Sequence, residues 1–178
     1  LAMLSALLCV DSDTIQKFAL TKHFDERRVV PELTQGLSEE DVVIMDRGYY
    51  SKQLLKHFHD TKVRCIFRLK FKANNQVLGF SRSKHKDRIV RIAVEDLTYD
   101  LRLVKYFIRG RMYVLGTTLF DEPLCNLKEL YRKRWAVETA FKRLKSHLNL
   151  GKIYARTEMM WKQEVAARIL YDTICRRH

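Results

Sequence analysis

Apolar residues fall in short runs separated by polar turns, and their spacing predicts the elements. Residues 4–10 (LSALLCV) and 14–20 (TIQKFAL) read as two strands, with Asp11-Ser12-Asp13 as the turn between them. Residues 24–34 form a polar, helical connection. Val42-Val43-Ile44-Met45 is an unbroken apolar run that stops at Asp46. A run without alternation marks a strand covered on both faces, as in an α/β sheet. Ser51 to His59 read as a short helix with Leu54, Leu55 and Phe58 inward. Residues 63–69 form a further strand with Val63, Cys65, Phe67 and Leu69 on one face.

From Lys70 to about Thr118 the pattern is of strands (RIVRIAV, LRLVKYFI, MYVLGTTL), with no helix expected. A β-rich block between α/β elements predicts an inserted subdomain. The last third is helical. Asn126-Leu127-Lys128-Glu129 has capping-box spacing and Gly151 is a stop signal, so one helix of roughly 34 Å is expected. Its apolar stripe is Leu127, Leu130, Val137, Phe141, Leu144 and Leu148. A second helix over residues 158–174 carries Val165, Ile169, Leu170 and Ile174. The expected organisation is thus a core begun in residues 1–69, an insertion at 70–118 and closing helices at 119–178.

Composition narrows the class. The 178 residues are 47% hydrophobic and 31% charged, with two prolines and six glycines, which excludes collagen-like and disordered chains. A net charge of +13 points to a polyanionic partner, nucleic acid first, with simple solubility as the plain alternative. Arg82, Lys84, Lys86, Arg88 and Arg91 load the expected insertion with charge, as either a solvated face or a DNA contact. Cys9, Cys65, Cys125 and Cys175 lack Cys-x-x-Cys spacing, so zinc-ribbon and thioredoxin readings fail and reduced, core-filling thiols are expected. No run reaches the ~20 apolar residues of a membrane span. Residues 1–10 lack the flanks of a signal peptide and read as a strand. A first residue of Leu1 instead of Met suggests a fragment.

Two features carry chemistry. Tyr131, Arg134, Glu138 and Lys145 fall within about 60° on a helical wheel, one stripe beside the core face. Glu138 has Arg134 at i−4 and Lys142 at i+4, so a salt-bridged solvent face is the competing explanation. Asp46 shifts the balance. A carboxylate directly after a buried strand sits where open α/β sheets place their ligands, and Gly48 offers a sharp turn. If the long helix packs on the sheet, Asp46 and Glu138 can approach. Two carboxylates together need a compensating positive charge, and a divalent cation such as Mg²⁺ supplies it.

Asp46-Arg47-Gly48-Tyr49 followed by Tyr131-x2-Arg134-x3-Glu138-x6-Lys145 resembles the DDE transposases of bacterial insertion sequences, in particular the insertion sequence four family. Phe67-Arg68-Leu69-Lys70, Arg134-Trp135, Arg156-Thr157 and Gln163-Glu164 extend the likeness over nearly the whole chain. The resemblance implies an RNase H-like α/β fold, a mixed sheet flanked by helices with a β-strand insertion. It implies metal-dependent cleavage at transposon ends, then attack of the freed 3′-hydroxyl on target DNA. Asp46 and Glu138 are its catalytic, metal-binding acids, with Mg²⁺ as cofactor and Mn²⁺ able to substitute. Tyr131, Arg134, Lys145, Arg47, Arg68 and Lys142 are its DNA contacts. Its partners are double-stranded transposon ends, target DNA and a second copy in a synaptic homodimer, in a bacterial cytoplasm at the nucleoid and away from membranes.

Two departures shape the expectation. The family's first catalytic aspartate belongs to a strand preceding residue 4, and that strand is expected to be missing. Asp11 and Asp13 read as turn residues, so the chain is expected to be inert alone. The insertion has no Trp to stack on a flipped base, as some relatives have; Tyr99, Tyr106, Phe107 and Tyr113 offer stacking faces but read first as core or cross-strand partners, which leaves a hairpin intermediate open. Trp135 and Trp161 read as packing residues, and His57 and His59 as helix-surface residues. The rival reading is a catalytically dead, transposase-derived DNA-binding protein.

Overall fold

The computed structural model describes residues 3–21, 25–147 and 157–177. In chain order they form β1 (Met3–Cys9), β2 (Thr14–Thr21), a 3-10 turn (Glu26–Val29) running into α1 (Val30–Leu33), β3 (Val42–Met45), α2 (Lys52–Thr61), β4 (Arg64–Arg68), α3 (Asn75–Arg82), β5 (Asp87–Val94), β6 (Leu97–Ile108), β7 (Arg111–Thr117), α4 (Leu124–Arg132), α5 (Trp135–His147) and α6 (Glu158–Arg177). Two compact units result, one of Leu1–Asp25 with Lys133–His178 and one of Glu26–Arg132.

In the second unit, β3 and β4 pair in parallel through the α2 crossover, and β4, β7, β6 and β5 continue antiparallel in the order β3-β4-β7-β6-β5. The fold is therefore mixed α/β, as expected. Both faces of the central strands are covered. Val43, Met45, Cys65, Phe67 and Leu69 join Leu54, Leu55 and Phe58 of α2 in one core, while Ile66, Val104 and Leu115 pack with Leu127 and Tyr131 of α4 in another. Burial on both sides explains the unbroken apolar run at 42–45. Ser51 caps α2 by accepting from the Leu54 amide at 3.1 Å, and Lys62 ends it in the left-handed conformation.

In the first unit, β1 and β2 form an antiparallel hairpin whose turn places Asp13 at φ +47°. Ile15 packs with Leu144, Val165 and Ile169, so the hairpin shares its core with α5 and α6. Asp11 and Asp13 are turn residues, as expected, and ion pairs hold both: Asp11 to Lys133, Asp13 to Arg143 and Arg176.

Several expectations are corrected. The stretch from Lys70 to Thr118 does contain a helix, α3, capped by the Asn74 side chain at 2.8 Å from the Val77 amide. The strands of the β-rich segment continue the sheet of β3 and β4, with β7 hydrogen-bonding directly to β4. The expected long helix is two helices, α4 and α5, with a tight turn between them where Ala136 and Val137 amides bond back to the Lys133 and Arg134 carbonyls. No Gly or Pro marks that break. Its cause is tertiary: Leu127 and Tyr131 are buried in the core of the larger sheet, whereas Phe141 and Leu144 belong to the hairpin core. Leu170 and Ile174 of α6 are exposed, as is Trp135, and only Cys65 among the thiols is fully buried. Leu148, Gly151 and Arg156 lie outside the described residues.

Candidate active site

β3 delivers Asp46 to its carboxyl end. The chain then turns, the Tyr49 amide donating to the Asp46 carbonyl at 3.1 Å, and leaves Arg47 and Gly48 exposed. Gly48 does not adopt a positive φ and has open space around it, so the glycine freedom expected there is not used. The Tyr49 side chain is largely buried. That burial, followed by its hydrogen bond to Glu26, holds the phenol well above its ordinary pKa and therefore protonated.

The Asp46 carboxylate is about two-fifths exposed, 42%. Tyr131, from the last turn of α4, donates its phenol to Asp46 Oδ1 at 3.1 Å. Arg68, the last residue of β4, sets Nη1 3.8 Å from the same oxygen. Parallel pairing of β3 with β4 explains this: Met45 is in register with Phe67, so Asp46 and Arg68 leave adjacent strand ends together. The Arg68 guanidinium also lies 4.6 Å from the Tyr113 ring centroid, and Tyr113 stacks on Tyr106 at 5.5 Å and 7°. Those tyrosines are a cross-strand pair between β6 and β7, as expected. Burial, then the neighbouring Tyr113, pushes the Tyr106 phenol up to about 12. The result is an aromatic support under a cation that faces a carboxylate.

Glu138 sits in the first turn of α5, where the helix N-terminus favours a carboxylate. Its side chain is 40% exposed and accepts from Arg134 Nη2 at 2.8 Å. The Arg134 guanidinium lies 5.3 Å from the Trp135 ring centroid. Lys142 and Lys145 follow on α5 with exposed side chains. Because the helix breaks, Tyr131 is not on the helix that carries Glu138 and Lys145. The single polar stripe expected from the wheel is therefore two sets: Tyr131 with Asp46 and Arg68, and Arg134 with Glu138.

Both acids offer hard oxygen donors at half-exposed positions, a donor chemistry that suits Mg²⁺ or Mn²⁺. Among the described residues no three His, Cys, Asp or Glu side chains converge as a preformed cluster. His57 and His59 are otherwise engaged, with Thr34 Oγ1 at 3.1 Å and the Asp100 carbonyl at 2.8 Å. Tyr49 beside Asp46 and Tyr113 against Arg68 are the site neighbours that the sequence alone did not select. Tyr49 stood inside the quoted motif, whereas nothing in the spacing links Tyr113 to Arg68.

A mixed sheet flanked by helices, with a carboxylate at the end of a buried strand, is consistent with an RNase H-like fold. The model of the Transposase DDE domain family matches residues 4–170, and the chain belongs to that family. Among curated proteins it is 28% identical over 135 residues to the "Putative transposase for insertion sequence element IS4SA" of Synechocystis sp., covering 71% of this chain and 38% of that protein. It is 26% identical over 148 residues to the "Probable transposase for insertion sequence element IS5377" of Geobacillus stearothermophilus, covering 77% and 39%. The chain thus spans under two-fifths of the length of these relatives. No helix among the described residues is long and apolar enough to cross a membrane.

Proposed function

We propose that this chain is the catalytic part of a DNA transposase of the insertion sequence four type, acting on the ends of its element in a bacterial cytoplasm. The observation that carries the reading is the meeting of Asp46, Arg68 and Tyr131 at the carboxyl end of β3, since each comes from a separate motif of the sequence. Asp46 and Glu138 would hold the divalent cation. That cation, when bound, activates the attacking oxygen and stabilises the leaving oxygen of an in-line phosphoryl displacement.

The chain's own residues do the rest. Tyr131 orients the Asp46 carboxylate through its hydrogen bond. Arg68 and Arg134 present guanidinium forks to the DNA phosphates, and Arg47, Lys142 and Lys145 add exposed positive charge beside the two acids. No side chain is needed as a nucleophile, since water attacks first and the freed 3′-hydroxyl attacks target DNA next. Two acids are assigned where the family uses three, so the chain by itself is expected to be catalytically inert. Pairing of two copies around two element ends belongs to the same reading.

The test is Mg²⁺-dependent cleavage of DNA carrying the element's ends by the native-length polypeptide, with Asp46→Asn and Glu138→Gln beside it. Loss of cleavage in both variants with retained DNA binding supports the assignment. Cleavage that survives both substitutions places the chemistry elsewhere. A native-length protein that binds DNA but never cuts it is the catalytically dead alternative.

A further inference from the structure

The basic run between α3 and β5 is unabsorbed by the site around Asp46, and it lies on the opposite edge of the sheet. Four strand steps separate β3 from β5 in the order β3-β4-β7-β6-β5, roughly 19 Å at ~4.8 Å per step. Arg82, Lys84, Lys86, Arg88 and Arg91 are all exposed. Ordinarily such cations would be spent on nearby acids and on the α3 C-terminus. Here both demands are met from inside. Asp87 turns to Arg102, whose Nη2 donates to Oδ2 at 2.6 Å. At the α3 C-terminus the carbonyls of Phe80, Ser81 and the cap residue Ser83 accept from the buried Lys105 Nζ. Arg91 makes only a loose, highly exposed pair with Asp100 at 3.8 Å, and Glu95 and Asp96 lie beyond the far end of β5.

The edge is also shaped. An open cavity of about 370 Å³ runs between α3 and β5, lined by Gln76, Gly79, Phe80, Arg88, Ile89 and Arg91. β5 is the last strand of its sheet, so its outer backbone N–H groups point outward as additional donors. Lys86 to Arg91 spans roughly 17 Å of extended chain at ~3.3 Å per residue. A duplex presents about ten phosphate charges over that length, at one per ~1.7 Å of axis.

We propose that the α3–β5 edge is a second DNA-backbone surface, separate from the Asp46 site and indifferent to sequence. It rests on the reading that the protein acts on DNA. Phosphodiester oxygens would be held by Arg82, Lys84, Lys86, Arg88 and Arg91, with no base contacts. A surface on this edge can engage a different stretch of duplex from the one processed at Asp46.

The test uses this chain and a mixed-sequence duplex two helical turns long, with affinity followed by fluorescence anisotropy over a salt series. Arg82, Lys84, Lys86 and Arg88 are replaced together by Gln, and a charge-matched control neutralises Lys52, Lys62, Arg109 and Arg111. Circular dichroism checks that each variant folds. The quadruple variant is expected to lower the salt slope by about 3 to 4, at ~0.9 for each phosphate no longer neutralised, with the control falling much less. An unchanged slope, or an equal fall in the control, overturns the proposal and leaves the cations as protection of an open sheet edge. Poly-glutamate that competes as well as duplex at equal charge would overturn it in favour of an acidic protein partner. A wild-type chain that binds no duplex at all sinks the DNA reading itself, which separates the two failures.

Discussion

Arg102 offers the sharpest check on how the larger unit is held together. It lies in the centre of β6 with its side chain 10% exposed, and its guanidinium is fully committed. Nε and Nη2 bond Asp87, and Nη1 donates to the carbonyls of Leu119, Phe120 and Glu122 at 3.0, 2.8 and 2.6 Å. Arg102→Met keeps the aliphatic stem and removes every one of these bonds. Asp87 is 42% exposed, so water recovers most of its charge. The three carbonyls recover less, at about 1 kcal/mol each, and with the broken ion pair the cost is about 3–4 kcal/mol. Against a total stability of roughly 5–15 kcal/mol that is severe.

Urea unfolding reads it directly. With m of about 2 kcal/mol/M, the midpoint should fall by about 1.5–2 M, and Asp87→Asn should cost only about 0.5 M. Both tryptophans, Trp135 and Trp161, belong to the other unit, so hydrogen exchange on peptides of β6 and β7 is the appropriate probe. The three carbonyls lie in the loop leading to α4, which carries Tyr131, so that loop should lose protection as well. A midpoint shift under about 0.3 M, or an Asp87→Asn variant as damaged as Arg102→Met, would falsify the view that Arg102 pins this loop.

Three further outcomes follow. Arg143 bonds Asp172 through Nε and Nη2 at 2.7 and 2.9 Å and Asp13 through Nη1 at 3.2 Å, so Arg143→Leu should cost about 2–3 kcal/mol by leaving the buried Asp172 carboxylate with only the long Arg176 contact at 3.9 Å; Arg143→Lys should not restore the thermal stability, because an ammonium cannot make the bidentate contact. Burial raises the Cys65 thiol to about 12, while hydrogen bonds from Ser12 lower Cys9. Iodoacetamide followed by mass spectrometry should therefore spare Cys65 at pH 8 until the protein unfolds, and should label Cys9 in the native protein; native labelling of Cys65 would contradict the burial. Asp46→Asn should bind duplex DNA a few-fold more tightly than wild type, since it removes a negative charge beside Arg68, and an unchanged or weaker affinity in a titration would count against Arg68 as a phosphate contact.

Much of this fold could be read from residue spacing, and the exceptions share one cause. Local patterns located β1 to β4, α2 and the Asp11–Asp13 turn, because each is set by a run of neighbouring residues and its flanking polar punctuation. α3 was hidden because eight residues flanked by lysines and arginines show little periodicity, although Asn74 three residues before Val77 is a legible cap. The break at Lys133–Arg134 has no local signal at all. Leu127 and Leu144 lie on one continuous apolar stripe in sequence, yet they are claimed by different cores, and only tertiary packing decides that. The joining of β7 to β4 is likewise a long-range pairing that no window of sequence contains.

The same partition bears on the site. A fixed spacing such as Tyr-x2-Arg-x3-Glu-x6-Lys invites a reading as one helical face, but here Tyr131 meets Asp46 and Arg134 meets Glu138, and each carboxylate has its own arginine. Glu138 is met by Arg134 at 2.8 Å and Asp46 by Arg68 at 3.8 Å. These pairs are internal substitutes for what the proposed reaction brings in: the acids are neutralised by guanidiniums, and the guanidiniums by acids. Under that proposal, phosphate oxygens and a divalent cation compete for opposite halves of the same pairs, so DNA binding and metal binding should each ease the other. Arg68 is the better placed to exchange, since its contact to Asp46 is long and Tyr113 holds its guanidinium from beneath.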